Sequence, residues 1–215
     1  GAETTLESEF RKRSVTALLL ANSNRVGEAL RCLEEASKLS SVAASKRLKA
    51  IRFRFYSLEE ELLERFLRAE RMKTFLAALL YVVLDSRQLR PGLTYVQACK
   101  QALAGGATVI QLRDKLLGGR QLLWVAKRLC RLCHQKNALF IVNDRPDIAA
   151  AVEADGVHLG QQDLPVLMAR AVLGFDRLVG KSTHSWRQVR AAVAEGADYL
   201  SVGPVYETPS KPDAK

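Results

Sequence analysis

Two aspartates open the case for chemistry. In VNDRPDIAAAVEADGVHLGQQDLP (142–165) two short apolar runs each end in acidic or amide residues, with one helix-sized segment between them. ALFIVND reads as a buried strand that delivers Asn143 and Asp144 at its C-terminal end. DGVHLGQQD reads as the next strand, whose exit loop delivers Gln161, Gln162 and Asp163. Carboxylates at the C-terminal ends of neighbouring parallel strands suit a divalent cation and a phosphate, because hard oxygen ligands bind Mg2+ and ligands gather at that end of a barrel. The plainer alternative for Asp144 is an N-cap on the helix opening at Pro146, since Asp is a favoured capping residue.

Cations and hydroxyls stand at equivalent places. In VIQLRDK, period-2 alternation puts Val109, Gln111, Arg113 and Lys115 on one face of a strand, with Ile110 and Leu112 on the other. The first face turns from apolar to basic as the strand exits, and buried cations require anionic partners. GKSTH (180–184) ends another strand with Ser182, which either donates to a ligand or caps the next helix. In GPVYETPSKPDAK, Thr208, Ser210 and Lys211 offer hydroxyl and ammonium donors suited to a phosphate.

The elements that must position these residues begin near residue 79. Strands at 79–85, 107–112, 138–142, 156–159, 178–182 and 199–202 alternate with helices at 95–103, 121–135, after Pro146, 165–172 and 185–195. Such alternation predicts a parallel sheet with right-handed crossovers. Repeated small-residue turns (AGGA, EADG, EGAD) favour an α/β fold of the (β/α)8 TIM-barrel type, of which six strands are legible. No GxGxxG or GxxxxGK[ST] follows a strand, which argues against dinucleotide and P-loop folds.

Residues 6–72 carry almost no Gly or Pro and predict a small all-α domain of two to four helices. The domain boundary is placed between residues 76 and 77. One helix is expected to start at an Asn24 N-cap and bury Val26, Ala29, Leu30, Leu33 and Ala36. Ser57 with Glu60 forms a capping-box pattern that predicts a separate helix. The basic run KRLKAIRFRF reads as a solvated helix face, with anion binding the alternative.

The net charge of +10 favours anionic partners such as phosphorylated metabolites. No Lys/Arg block with interleaved aromatics follows residue 79, so neither composition nor pattern points to nucleic acid. The longest apolar run, 75–84, has ten residues, too few to span a bilayer. Four unevenly spaced cysteines and a polar N-terminus without a signal-peptide pattern point to a reducing cytoplasm. CRLCH (130–134) matches a haem-attachment pattern and half of a zinc site, but it lies on the predicted stripe of Leu122, Val125, Ala126, Leu129, Cys130 and Cys133. Both cysteines are therefore read as core residues.

QLRDK, VNDRPDIAAAVEADGVHLGQQDLP, GKSTH and SVGPVYETPSK, in this order and spacing, resemble the thiamine-phosphate synthase family, β/α barrels that join the pyrimidine and thiazole halves of thiamine. The likeness covers about residues 79–211, and ANSNRVGEALRCLEE resembles an extension fused to this enzyme in some bacteria. The resemblance implies Mg2+ held by Asp144 and Asp163 against the pyrophosphate of hydroxymethylpyrimidine diphosphate. It implies Arg113, Lys115, Asn143 and Lys211 on pyrophosphate oxygens, with Gln111 and Ser182 on the pyrimidine or its diphosphate. Thr208 and Ser210 would face the thiazole phosphate, Ser210 standing where several relatives have Thr. Arg113, Lys115, Ser182 and Lys211 would serve catalysis. The partners implied are these two small molecules, with no nucleic acid and no membrane; homo-oligomerisation is left open. The family's last portion, two glycine-rich strands completing the thiazole-phosphate cup, has no counterpart after the sixth strand, so a truncated barrel is expected. A related thiazole tautomerase and a non-catalytic binding remnant are the alternatives.

Overall fold

A computed structural model describes residues 15–203. Thr208, Ser210 and Lys211 lie outside the described residues. The chain divides into two compact units, Gly1–Leu67 and Arg68–Lys215. The boundary drawn from residue pattern follows the end of a helix at Leu76, whereas the compact units part earlier, inside that helix.

The first unit contains helix α1 (Val15–Ser37) and most of helix α2 (Val42–Leu76). Three expectations are corrected here. Asn24 is interior to α1 rather than its cap. Ser57 lies inside the continuous α2, its hydroxyl donating to the Phe53 carbonyl one turn back instead of starting a helix. The seam of α1 is Ser23, Gly27 and Glu34, while Val26 and Leu33 are 43% and 55% exposed. Gly27 leaves room for the Tyr56 ring, against which a Cβ would stand 3.2 Å from Cε1. Glu34 accepts from Arg52 at 2.8 Å, so polarity and close approach, not an aliphatic stripe, hold this pair of helices.

The second unit is a six-stranded parallel sheet in the order β1-β2-β3-β4-β5-β6, curled as a half-barrel. Its strands are β1 (Tyr81–Asp85), β2 (Val109–Arg113), β3 (Leu139–Asn143), β4 (Gly156–Leu159), β5 (Leu178–Thr183) and β6 (Tyr199–Val202). Between them run α3 (Tyr95–Ala104), α4 (Gly119–Gln135), α5 (Pro146–Ala151), α6 (Val166–Leu173) and α7 (Trp186–Ala194). The alternation expected from sequence is therefore the one observed, with ends shifted by a residue or two. Thr94 and Gln97 start α3 with reciprocal side-chain and backbone hydrogen bonds, satisfying two donors that the first turn leaves open.

Strand alternation sorts the core into two clusters. Ile110, Leu112, Phe140, Val142, Val157, Leu159 and Val179 pack with helix residues such as Leu122, Leu129 and Val166. Val109, Leu139, Ile141 and Leu178 point the other way, toward Met72, Phe75, Tyr81 and Tyr199. Burying such side chains from water stabilises each by roughly 1.5–3 kcal/mol. Cys130 and Cys133 sit in the first cluster, as read from the helix stripe. Burial pushes the Cys130 thiol up to about 12.

The N-terminal ends of the strands carry a network of ion pairs. Arg170 donates to Asp198 at 2.6 Å, both side chains being 3% exposed. Arg68 reaches the other oxygen of Asp198. Arg71 donates to Asp155 and to both the carbonyl and the carboxylate of Asp176.

Candidate active site

The opposite ends of the strands gather the residues singled out for chemistry. Arg113, Lys115, Asn143, Asp144, Asp163 and Ser182 line one polar cleft of about 170 Å³, together with Gly160, Gln161 and Gln162. Gln111 lies one step deeper, in an adjoining cavity of about 360 Å³ that shares Arg113 and Asn143 with the cleft. Its other walls include Phe75, Tyr81, His158 and Tyr199. A polar mouth thus opens over an aromatic floor.

Asp144 owes its position to the backbone. It follows β3 with φ 63°, a left-handed conformation that a non-glycine residue adopts at some cost and that Asp and Asn tolerate best. Its amide donates to the His158 carbonyl at 2.8 Å, fixing the turn against β4. The capping alternative does not hold: the residue at the N-cap of α5 is Arg145, without a side-chain cap, and the Asp144 carboxylate is paired with Lys115 instead. Asp163 folds back over its own loop, accepting from the Gly160 amide at 2.6 Å. Gly160 permits this, since a Cβ there would stand 3.0 Å from Asp163 Oδ2.

Burial, and next the Asp144 carboxylate beside it, push the Asp163 carboxyl above the usual carboxylate range. Two carboxylates facing one another with nearby main-chain and amide oxygens form a hard-oxygen donor set that fits Mg2+. Among the described residues no group of three or more His, Cys, Asp or Glu is placed to hold a metal. The pair alone would leave most of an Mg2+ coordination sphere to water and substrate oxygens, the usual arrangement for that ion.

Several residues of the site escaped the sequence reading. Arg113 pairs with Asp85, its register partner on β1, so the half-buried cation finds its anion first within the protein. An acidic residue closing the strand before a basic one was the available signal. His158 donates or accepts at 2.9 Å with Ser182 Oγ and lines the aromatic cavity. A polar residue at an inward position of the otherwise apolar GVHL run was its signal. Gln161 reaches the Ser182 carbonyl, tying the β4 exit loop to β5. Tyr199 and Phe75 carry no local mark, because each reaches the cavity through packing against residues distant in sequence.

The thiamine monophosphate synthase family model matches residues 80–215. The chain belongs to the thiamine monophosphate synthase family. Residues 1–61 match the ThiD2 family model. Thiamine-phosphate synthase of Nostoc punctiforme is 45% identical over 211 residues, covering 98% of this chain and 58% of that protein. Thiamine-phosphate synthase of a Synechocystis species is 45% identical over 216 residues, 100% of this chain and 60% of the relative. The solved structure of thiamine phosphate pyrophosphorylase from Pyrococcus furiosus superposes with a TM-score of 0.54 at 40% identity, covering 59% of this chain and 60% of that one. The chain thus spans little more than half the length of the family members it matches. Among the described residues no helix is long and apolar enough to cross a membrane.

Proposed function

We propose that this chain acts as a thiamine-phosphate synthase, joining hydroxymethylpyrimidine diphosphate to thiazole phosphate with release of pyrophosphate. The observation that carries the reading is the pairing of a charged cleft with an aromatic cavity beneath it. The cleft has facing Asp144 and Asp163 and two cations, Arg113 and Lys115. The cavity has a flat-sided floor of Phe75, Tyr81 and Tyr199. A diphosphate fits the first and a planar heterocycle the second.

The chemistry follows from where charge moves. The C–O bond to pyrophosphate breaks, its electron pair leaves with the oxygen, and the pyrimidine ring spreads the positive charge left on the methylene carbon. The thiazole nitrogen then supplies its lone pair to form the C–N bond. No protein nucleophile is needed, so the protein's task is to stabilise charge on the leaving oxygen and to hold the ring. Arg113 is held at the cleft by Asp85, and Lys115 by Asp144, so both cations are oriented before a ligand arrives. Asn143 and Ser182 add neutral donors at the same mouth, and Gln111 faces the ring cavity from below. Mg2+ bound by Asp144 and Asp163 would neutralise charge on the departing pyrophosphate. For Thr208, Ser210 and Lys211 the family resemblance supports contacts to the phosphates.

The direct test is Asp163→Ala in the full-length protein, assayed for thiamine phosphate and pyrophosphate. Turnover is expected to fall by about 100- to 1,000-fold, the usual size of one lost electrostatic stabiliser, with an unchanged circular dichroism spectrum. Near-normal Mg2+-dependent turnover would overturn the assignment.

A further inference from the structure

A chain of hydrogen bonds runs beneath the site, from Gln111 to Ser182. Gln111 Nε2 donates to the Tyr81 hydroxyl at 2.8 Å. The Tyr81 and Tyr199 hydroxyls are 3.2 Å apart. The Tyr199 hydroxyl lies 3.3 Å from His158 Nδ1, and His158 Nε2 lies 2.9 Å from Ser182 Oγ.

The direction of this chain follows from what each group can give. An amide nitrogen only donates, so the Tyr81 oxygen accepts from Gln111, and the order that leaves neither phenol proton unused has Tyr81 donating to Tyr199. Burial raises both phenols above their usual range, so each stays protonated and has one O–H to hand on. Tyr199 then donates to Nδ1, which leaves the neutral imidazole with its proton on Nε2. That proton goes to Ser182 Oγ. The hydroxyl proton of Ser182, buried at 4% exposure on the edge of the polar cleft, is thereby turned toward the cleft.

Packing holds the two tyrosines in register for this. The Phe75 ring lies against Tyr199 with centroids 4.3 Å apart and planes at 32°, and meets Tyr81 edge-on at 6.1 Å. Gly180, the register partner of Tyr199, has no side chain because a Cβ there would fall on the Tyr199 ring.

We propose that Tyr81 and Tyr199 are positioning residues that fix the Nε2–H tautomer of His158 and so preset Ser182 as a hydrogen-bond donor to the substrate's anionic group. The proposal rests on the synthase reading only for the identity of that substrate. The tyrosines act through His158 and Ser182.

The test is Tyr199→Phe in the full-length protein, which keeps the ring on Phe75 and deletes only the donor. Long-range 1H–15N spectra of the imidazoles report the tautomer directly. These 215 residues contain three histidines, and His158→Gln identifies the relevant signal. The unmodified protein should show His158 as Nε2–H, and Tyr199→Phe should shift it toward Nδ1–H. In the same variant kcat should fall about tenfold with KM for the pyrimidine diphosphate little changed, as when an interaction made in the transition state is lost. Tyr81→Phe, one link further away, should give a smaller loss in the same sense. An Nδ1–H tautomer in the unmodified protein, a tautomer unmoved by Tyr199→Phe, or a moved tautomer with kcat unchanged would each overturn the proposal. If neither protein forms thiamine phosphate, the synthase reading fails, and the tautomer measurement still decides the direction of the chain.

Discussion

The two ends of the sheet use the same residue types to opposite purposes. At the N-terminal ends Asp155, Asp176 and Asp198 each meet arginine, and spare lone pairs are filled by backbone amides: Asp155 Oδ2 accepts from Phe140 N and Asp198 Oδ2 from Val179 N. At the C-terminal ends Asp85 pairs with Arg113 and Asp144 with Lys115, but Asp163 has a carboxylate beside it, and burial first and Asp144 next drive its carboxyl up. Aspartate beside a strand terminus is therefore uninformative by itself. A buried carboxyl set beside a second carboxylate in a cleft points to a binding site, because the arrangement costs stability that a bound cation would return.

The largest effect should come from breaking the structural end. Arg170→Ala leaves Asp198 buried with a reduced partner set and is expected to cost about 3–5 kcal/mol in urea unfolding, the range for halving a buried ion pair. Turnover per folded molecule should stay within about twofold, since a loss confined to stability leaves transition-state binding intact. A large drop in that specific activity would erase the distinction between the ends. Asp163→Ala is its mirror image, with turnover lost and stability not lowered.

The smallest and sharpest effect is the pH dependence of Asp163→Asn in metal-free buffer. In the parent the folded carboxyl holds its proton more tightly than the unfolded one, whose ordinary value is 3.8. Folded protein binds more protons over that window, so stability falls as pH rises from the unfolded value through the folded one. The Asn variant lacks this fall. Its stability advantage should be absent below the unfolded value, grow through the window and then level off. Parallel curves for the two proteins would mean that burial beside Asp144 does not raise the Asp163 carboxyl.

Much of this was legible in the sequence because a strand's two faces alternate and its end is marked by the first polar residues. Gln111, Arg113, Asn143, Asp144, Asp163 and Ser182 were found that way, and the sheet brings them to one end. What escaped depends on distance or on backbone geometry. The Asp85 partner of Arg113 is set by register between strands far apart in sequence. Phe75 belongs by pattern to the helical segment, yet its ring closes the floor of the cavity. In the first unit the packed seam departs from the apolar stripe because Gly27 and Glu34 offer closer packing and a half-buried ion pair. Ser57 was misread because a serine can bond back to its own helix as readily as cap a new one.

The left-handed turn at Asp144 makes this single position answer two selections differently. A saturation library scored by protein abundance should rank Gly and Asn at or above Asp and put β-branched residues last, because backbone strain and repulsion from Asp163 outweigh the half-exposed pair with Lys115. The same library scored by thiamine phosphate formation should rank Asp alone at the top. Matching rankings would mean that the turn, and not the carboxylate, is what this site preserves.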